Sequence, residues 1–264
     1  MEKPQKNFKL VTEKRARVIL PNIFTLVGVC IGLSSIKFAF DNKFEIAIIA
    51  IIAAAIIDGL DGRISRLLKG TSKVGKELDS LTDVISFGVA PGFIMYFWAL
   101  NEIGKLGWML VLIYVVCCAL RLARFNLTTV DENESWKINF FEGVPSPAAA
   151  GLVLLPLILN LSGLIYFENQ AVVCAAAILI TSFLMVSKIP TYSLKRILIP
   201  RHLAVFLLLG MGIYVSFLIF YTFETLFLTG LIYVLLIPIS FFHYRNLRKK
   251  FSANIKDEET EDIL

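Results

Sequence analysis

Histidine is almost missing from this 264-residue chain: His202 and His243 stand alone, each at the end of an apolar run. Neither has a second histidine or a cysteine at a ligand spacing beside it, so a zinc centre or a histidine-based triad is not expected. The four cysteines, Cys30, Cys117, Cys118 and Cys174, all fall inside apolar runs. They show no metal-ligand spacing and read as small buried hydrophobes. Charge is thin as well: 18% of residues are charged against 57% hydrophobic, at a mean hydropathy of +0.74. A soluble α/β enzyme needs polar helix faces. Long stretches of this chain have none, which points to a polytopic membrane protein. No internal repeat at a fixed period stands out.

What the chain has instead is a succession of apolar runs long enough to span a bilayer. The first, 18–40, is too long for a signal h-region and no small-residue cleavage site follows it, so it reads as a membrane helix. Seven more follow at about 44–62, 83–100, 107–124, 147–165, 170–188, 203–222 and 226–243. The expected fold is an all-α membrane bundle of about eight transmembrane helices. Residues 1–17 are expected to form a cytoplasmic or interfacial segment and 18–243 the transmembrane catalytic domain. Residues 244–264, basic at first and acidic at the end, are expected to be a disordered cytoplasmic tail.

Orientation follows from the basic residues. Of the 26 lysines and arginines, only Lys37, Lys43 and Lys105 fall in loops on the side opposite the N-terminus. The positive-inside rule makes that charge-poor side the outer one and puts both termini in the cytoplasm. The net charge of +5 is thus membrane-flanking, and no nucleic-acid partner is expected.

Acidic residues are scarcest of all inside the runs: besides Asp58, Asp61 and Asp83, no Asp or Glu falls well within one. An aspartate near the centre of a membrane helix costs about 2.5–3.5 kcal/mol, less toward the ends. Such acids mark function by default. Together with Asp79 they lie in the stretch 58–83, DGLDGRISRLLKGTSKVGKELDSLTD, as pairs spaced three and four apart. That spacing puts each pair on one helix face. Two antiparallel helices then bring all four acids to one end of a helix pair, on the cytoplasmic side. Hard oxygen ligands in such number suit Mg2+ or Mn2+, and two such ions about 3.5–4 Å apart can clamp a phosphoryl group. Gly62 and Gly75 let backbone approach a ligand beside the acids, and Arg66 offers a phosphate fork. A polar hairpin whose acids merely pair with Lys69, Lys73 and Lys76 accounts for any one aspartate. It accounts poorly for four acids, two glycines and an arginine in this order.

This spacing resembles that of the CDP-alcohol phosphatidyltransferases. Their pattern D-x2-D-G-x2-A-R-x8-G-x3-D-x3-D runs here through Asp58, Asp61, Gly62, Arg66, Gly75, Asp79 and Asp83, with Ser65 at the alanine position. Seven of eight fixed positions across 26 residues agree. The segments LDSLTDVISFGVAP (78–91), ARFN (123–126), FEGVPSPAAAG (141–151) and VSKIPTYS (186–193) are similar to the serine-accepting branch of that family. They stand in the same order, and the similarity covers about residues 15–250. The resemblance implies a six-helix family core plus two further helices, a homodimer, and a setting among membrane lipids. The implied reaction moves a phosphatidyl group from CDP-diacylglycerol to the hydroxyl of L-serine and releases CMP. Asp58, Asp61 and Asp79 are implied metal ligands, and Asp83 the general base and a metal ligand. With no His or Cys nucleophile in place, direct in-line displacement is expected over a covalent intermediate.

Three further places carry candidates. Asn22 and Thr25, three apart near the cytoplasmic end of the first helix, are ordinary helix-start or helix-packing residues. The resemblance places such a Pro-Asn-x-x-Thr beside the nucleotide. Arg121 and Arg124 end the fourth run, either as snorkelling anchors or as guanidinium groups for a lipid phosphate or the serine carboxylate. Arg124, nearer the following loop, is favoured for serine. Last, Gly143, Pro145, Ser146 and Pro147, with Lys188 and Pro190 farther on, read as helix stops and starts and as positive-inside charge.

Two rivals stand beside this reading. A sister enzyme using glycerol phosphate or an inositol would share every acid, because spacing does not choose the acceptor. An ion-coupled transporter would place its ionisable groups near the bilayer midplane, at broken helices in inverted repeats. These acids gather at one membrane face instead.

Overall fold

The structure is a computed structural model that describes residues 13–68, 73–127, 140–193 and 201–261, with side chains described over 22–64, 74–127, 140–193 and 203–248. Most of the segment expected at 1–17 and the side chain of Arg66 lie outside the described residues.

Eight helices carry the described chain: α1 (Glu13–Phe40), α2 (Phe44–Leu68), α3 (73–98), α4 (Lys105–Leu127), α5 (Ser146–Leu161), α6 (Gln170–Val186), α7 (Arg201–Phe220) and α8 (Thr222–Glu261). Two short strands, β1 (Phe140–Glu142) and β2 (Pro190–Tyr192), pair antiparallel with Phe141 opposite Thr191. Five helical stretches among the described residues are long and apolar enough to cross a membrane: Asn22–Phe40, Val74–Trp98, Lys105–Leu127, Leu203–Phe220 and Thr222–Arg248. Ser146–Leu161 and Gln170–Val186 are shorter apolar helices, and α2 runs from apolar sequence straight into the acidic motif. The chain is thus the all-α polytopic membrane protein that its composition implied.

Helix α3 is the axis of the bundle, packed against α1, α2, α4 and α5. Small residues make that possible, since membrane helices associate by close packing rather than by hydrophobic transfer. A Cβ on Gly32 of α1 would stand 2.5 Å from the Ser86 Oγ of α3, and one on Gly88 of α3 would stand 3.1 Å from the Cys118 Sγ of α4. Around this contact lies the core, with Phe87, Ile94 and Met95 from α3, Tyr114 from α4, Leu154 and Leu157 from α5, and Ile178 from α6. The buried Tyr114 hydroxyl is satisfied by donating to the Phe87 carbonyl at 2.9 Å.

Helix α3 differs from its hydropathy in two ways. It begins at Lys73 rather than near Asp83, because Val74, Leu78 and Leu81 already recur at helical spacing in a polar stretch. It also widens into a π-helical turn, Val84–Val89, immediately after Asp83, a feature that often marks functional sites.

Helices α7 and α8 form an outer hairpin. Almost every side chain of Leu203–Phe220 is exposed, as suits a helix in lipid, and α8 meets the six-helix core through α5 and β2. Helix α8 continues past residue 243 to Glu261, into the stretch expected to be a disordered tail. Lys, Arg and Glu are ready helix formers, and neither proline nor glycine interrupts 244–261.

Candidate active site

The site forms where the end of α2 meets the start of α3. Asp58 and Asp61 are one turn apart on α2, and Asp79 and Asp83 one turn apart on α3. Asp58, Asp61 and Asp79 each offer a carboxylate oxygen within 4.8 Å of the others. The side chains of Asp58 and Asp83 come within hydrogen-bonding reach of one another. All four predicted acids are therefore brought together.

Their surroundings are graded. Asp61 is the deepest, 3% exposed, and the buried Thr25 hydroxyl donates to its Oδ2 at 2.8 Å. The Gly62 backbone N–H also donates to this carboxylate. Asp79 lies on the open side. The Oδ1 of Asp83 is buried and accepts no hydrogen bond, which is costly for a carboxylate oxygen unless something else occupies it. Three converging carboxylates, Asp58, Asp61 and Asp79, with the orphaned oxygen of Asp83 on the next turn of α3, are the kind of donor set that a hard divalent cation takes. The residues present fit such an ion.

The glycines behave as their positions require. A Cβ on Gly62 would meet nothing within 4 Å, so the side of α2 next to the acids is open to a ligand. Gly75 sits half-exposed in the first turn of α3. Asn22 is half-buried one turn before Thr25 on α1. Arg66 lies on α2, with only its backbone described.

The two arginines part company. Arg121, 7% exposed, bonds through one terminal nitrogen to Ser146 Oγ at the start of α5. It stands close enough to Asp83 for the two charges to attract, and its Nε is buried without a partner. Arg124, three residues on, donates to the carbonyls of Val186 at 2.8 Å, Ser187 at 3.2 Å and Met185 at 3.4 Å. It thereby satisfies carbonyls that the end of α6 leaves over. The two arginines, of which Arg124 was favoured for serine, thus differ in surroundings: Arg121 lies near Asp83, while Arg124 ties α4 to α6.

Sequence reasoning treated Pro145-Ser146-Pro147 as a helix start and missed Ser146 as the anchor of Arg121. The local chemistry shows how the anchor is delivered. Gly143 has φ +75 and stands so close to α6 that a Cβ would lie 2.7 Å from the Met185 carbonyl, so only glycine lets the loop pass there. Pro145 then caps α5 and places Ser146 in its first turn. Tyr233 of α8, which neighbours Arg121, was also missed. A single tyrosine in an apolar run carries no signal.

Comparison with known proteins agrees with the geometry. A family model described as CDP-alcohol phosphatidyltransferase matches residues 18–186. A Mycobacterium leprae protein named CDP-diacylglycerol–serine O-phosphatidyltransferase is 36% identical over 229 residues, covering 86% of this chain and 76% of that protein. One of the same name from Helicobacter pylori is 40% identical over 179 residues, 68% of this chain and 74% of its own. Another, from Bacillus subtilis, is 32% identical over 177 residues, 67% of this chain and 92% of its own.

Proposed function

The chain belongs to the CDP-alcohol phosphatidyltransferase family, and from that premise we propose that it transfers the phosphatidyl group of CDP-diacylglycerol to the hydroxyl of L-serine, giving phosphatidylserine and CMP. The observation that carries the chemistry is the convergence of Asp58, Asp61 and Asp79 beside the orphaned Oδ1 of Asp83. The choice of serine rests on the names of the relatives.

Asp58, Asp61, Asp79 and Asp83 would hold two divalent ions, Mg2+ or Mn2+, which when bound polarise phosphoryl oxygens and offset charge on the departing CMP. Thr25 fixes the direction in which Asp61 presents its carboxylate. Asn22, Thr25, Gly62, Arg66 and Gly75 are assigned to nucleotide and phosphate binding. A serine hydroxyl is a weak nucleophile, and Asp83 takes its proton as it attacks. The bond from serine oxygen to phosphorus forms as the phosphoanhydride bond to CMP breaks, in one in-line step. Arg121 offers a guanidinium to the serine carboxylate or the lipid phosphate. The excess of basic residues on one side supports a cytoplasmic site with both termini inside, and a homodimer is part of the same reading.

The test uses purified protein with CDP-diacylglycerol and labelled serine, glycerol phosphate or inositol, scored for lipid product and CMP. We expect serine alone to be used, with activity lost in EDTA and restored by Mn2+ or Mg2+ but not by Zn2+. Label entering another acceptor instead would make this a sister enzyme. Full activity in metal-free buffer would remove the ions from the reading.

A further inference from the structure

Helix α8 is exposed over most of its length, yet it turns two polar side chains inward. Ser240 is fully buried. Tyr233, two turns earlier on the same face, packs against the core cluster and has a buried hydroxyl without a hydrogen-bond partner. That hydroxyl approaches Thr191 on β2 without closing a bond of normal geometry. Its charged neighbour is Arg121, whose Nε is also buried and unpartnered. Arg121 in turn faces Asp83, which carries the third orphan, Oδ1. Buried polar groups almost always find partners. Here two donors, the Nε–H of Arg121 and the phenolic O–H of Tyr233, are both buried without one, on side chains near enough for their charges to interact. An anionic oxygen of a ligand satisfies both donors.

We propose that Tyr233 acts with Arg121 as the subsite for the carboxylate of the acceptor, which makes the α7–α8 hairpin a wall of the acceptor pocket. This rests on the serine reading above. The family model ends at residue 186, before the hairpin, so the shared core contains all four acids without Tyr233. The tyrosine is accordingly assigned to acceptor affinity rather than to the chemistry of the four acids.

Tyr233→Phe tests this in the full-length protein. The expected result is a rise of about ten-fold in KM for serine, the size of one lost hydrogen bond to a charged group. Both kcat and the KM for CDP-diacylglycerol should stay near their starting values. The serine-free variant should be as stable as the unaltered protein or more so, because a buried hydroxyl without a partner has been removed. Tyr214→Phe is the control: its hydroxyl lies 3.2 Å from Thr229 on an exposed part of the same hairpin, and its loss should leave KM for serine unchanged. An unchanged KM for serine in Tyr233→Phe overturns the proposal. So does a rise confined to CDP-diacylglycerol, which would place the hydroxyl on the lipid phosphate, or a fall in stability with all kinetic constants altered alike. Absence of serine turnover in the unaltered protein overturns the serine reading as well, so the two failures are distinguishable.

Discussion

Replacing Thr25 with valine deletes one buried hydrogen bond and preserves the shape of the side chain. The Thr25 hydroxyl donates to Asp61 Oδ2 at 2.8 Å, with the two residues 5% and 3% exposed. Water does not replace a donor at that depth. A hydrogen bond to a charged group contributes about 1.5–3 kcal/mol, on the order of a 10–150-fold change in an equilibrium constant. The bond also sets how Asp61 presents itself to Asp58 and Asp79. Residues that orient a metal ligand typically cost about 10–100-fold in metal affinity or activity when lost, so two independent routes lead to the same size. Thr25→Val should therefore raise the Mn2+ concentration for half-maximal turnover at least about ten-fold, with most of the maximal rate recovered at saturating ion. Thr25→Ser, which keeps the donor, should behave like the unaltered protein. A second readout is thermal stability in detergent against Mn2+, since an ion bound to the folded state raises Tm by mass action. An unchanged Mn2+ midpoint would refute the reasoning, because the Thr25 hydroxyl would then not set how Asp61 meets the ion.

Four further substitutions separate roles, and a fifth tests packing. Asp83→Asn should lose turnover by about 100-fold or more, the scale of general-base catalysis, while still binding CDP-diacylglycerol with metal. Asp58→Asn should weaken that binding too, and identical behaviour of the two would refute the division of labour. Arg124→Ala removes the bonds to Met185, Val186 and Ser187 and should lower Tm without a selective change in KM for serine. Arg121→Lys should raise KM for serine more than KM for the lipid, and the reverse assignment would restore Arg124 to the acceptor. Gly32→Ala forces a methyl to 2.5 Å from Ser86 Oγ and 2.9 Å from its Cβ, an overpacking cost of about 1–3 kcal/mol. An unchanged denaturation midpoint would mean that α1 and α3 are not so close.

The acids were legible because helix geometry is local. Residues three and four apart share a face in any helix, so Asp58 with Asp61, and Asp79 with Asp83, needed no tertiary information. The spans were legible because an apolar run of bilayer length has few other uses, and Phe44 and Gln170 begin helices where the runs begin. The start of α3 was not legible in that way. Hydropathy tracks contact with lipid, whereas Lys73–Asp83 is helical and polar.

By itself, the sequence determined an all-α membrane protein with four carboxylates gathered at one end of a helix pair, since composition and periodicity are properties of the chain alone. Only the tertiary structure gave Arg121 and Arg124 different surroundings. They are alike in charge and one turn apart, and their roles depend on how α4 is rotated and on where α6 ends beside it. The same holds for Ser146 and Tyr233, on α5 and α8. Nothing along the chain links them to Asp83: Ser146 bonds Arg121 and Tyr233 comes near it because segments distant in sequence pack together, α1 on α3 at Gly32, α3 on α4 at Gly88 and the loop before α5 on α6 at Gly143.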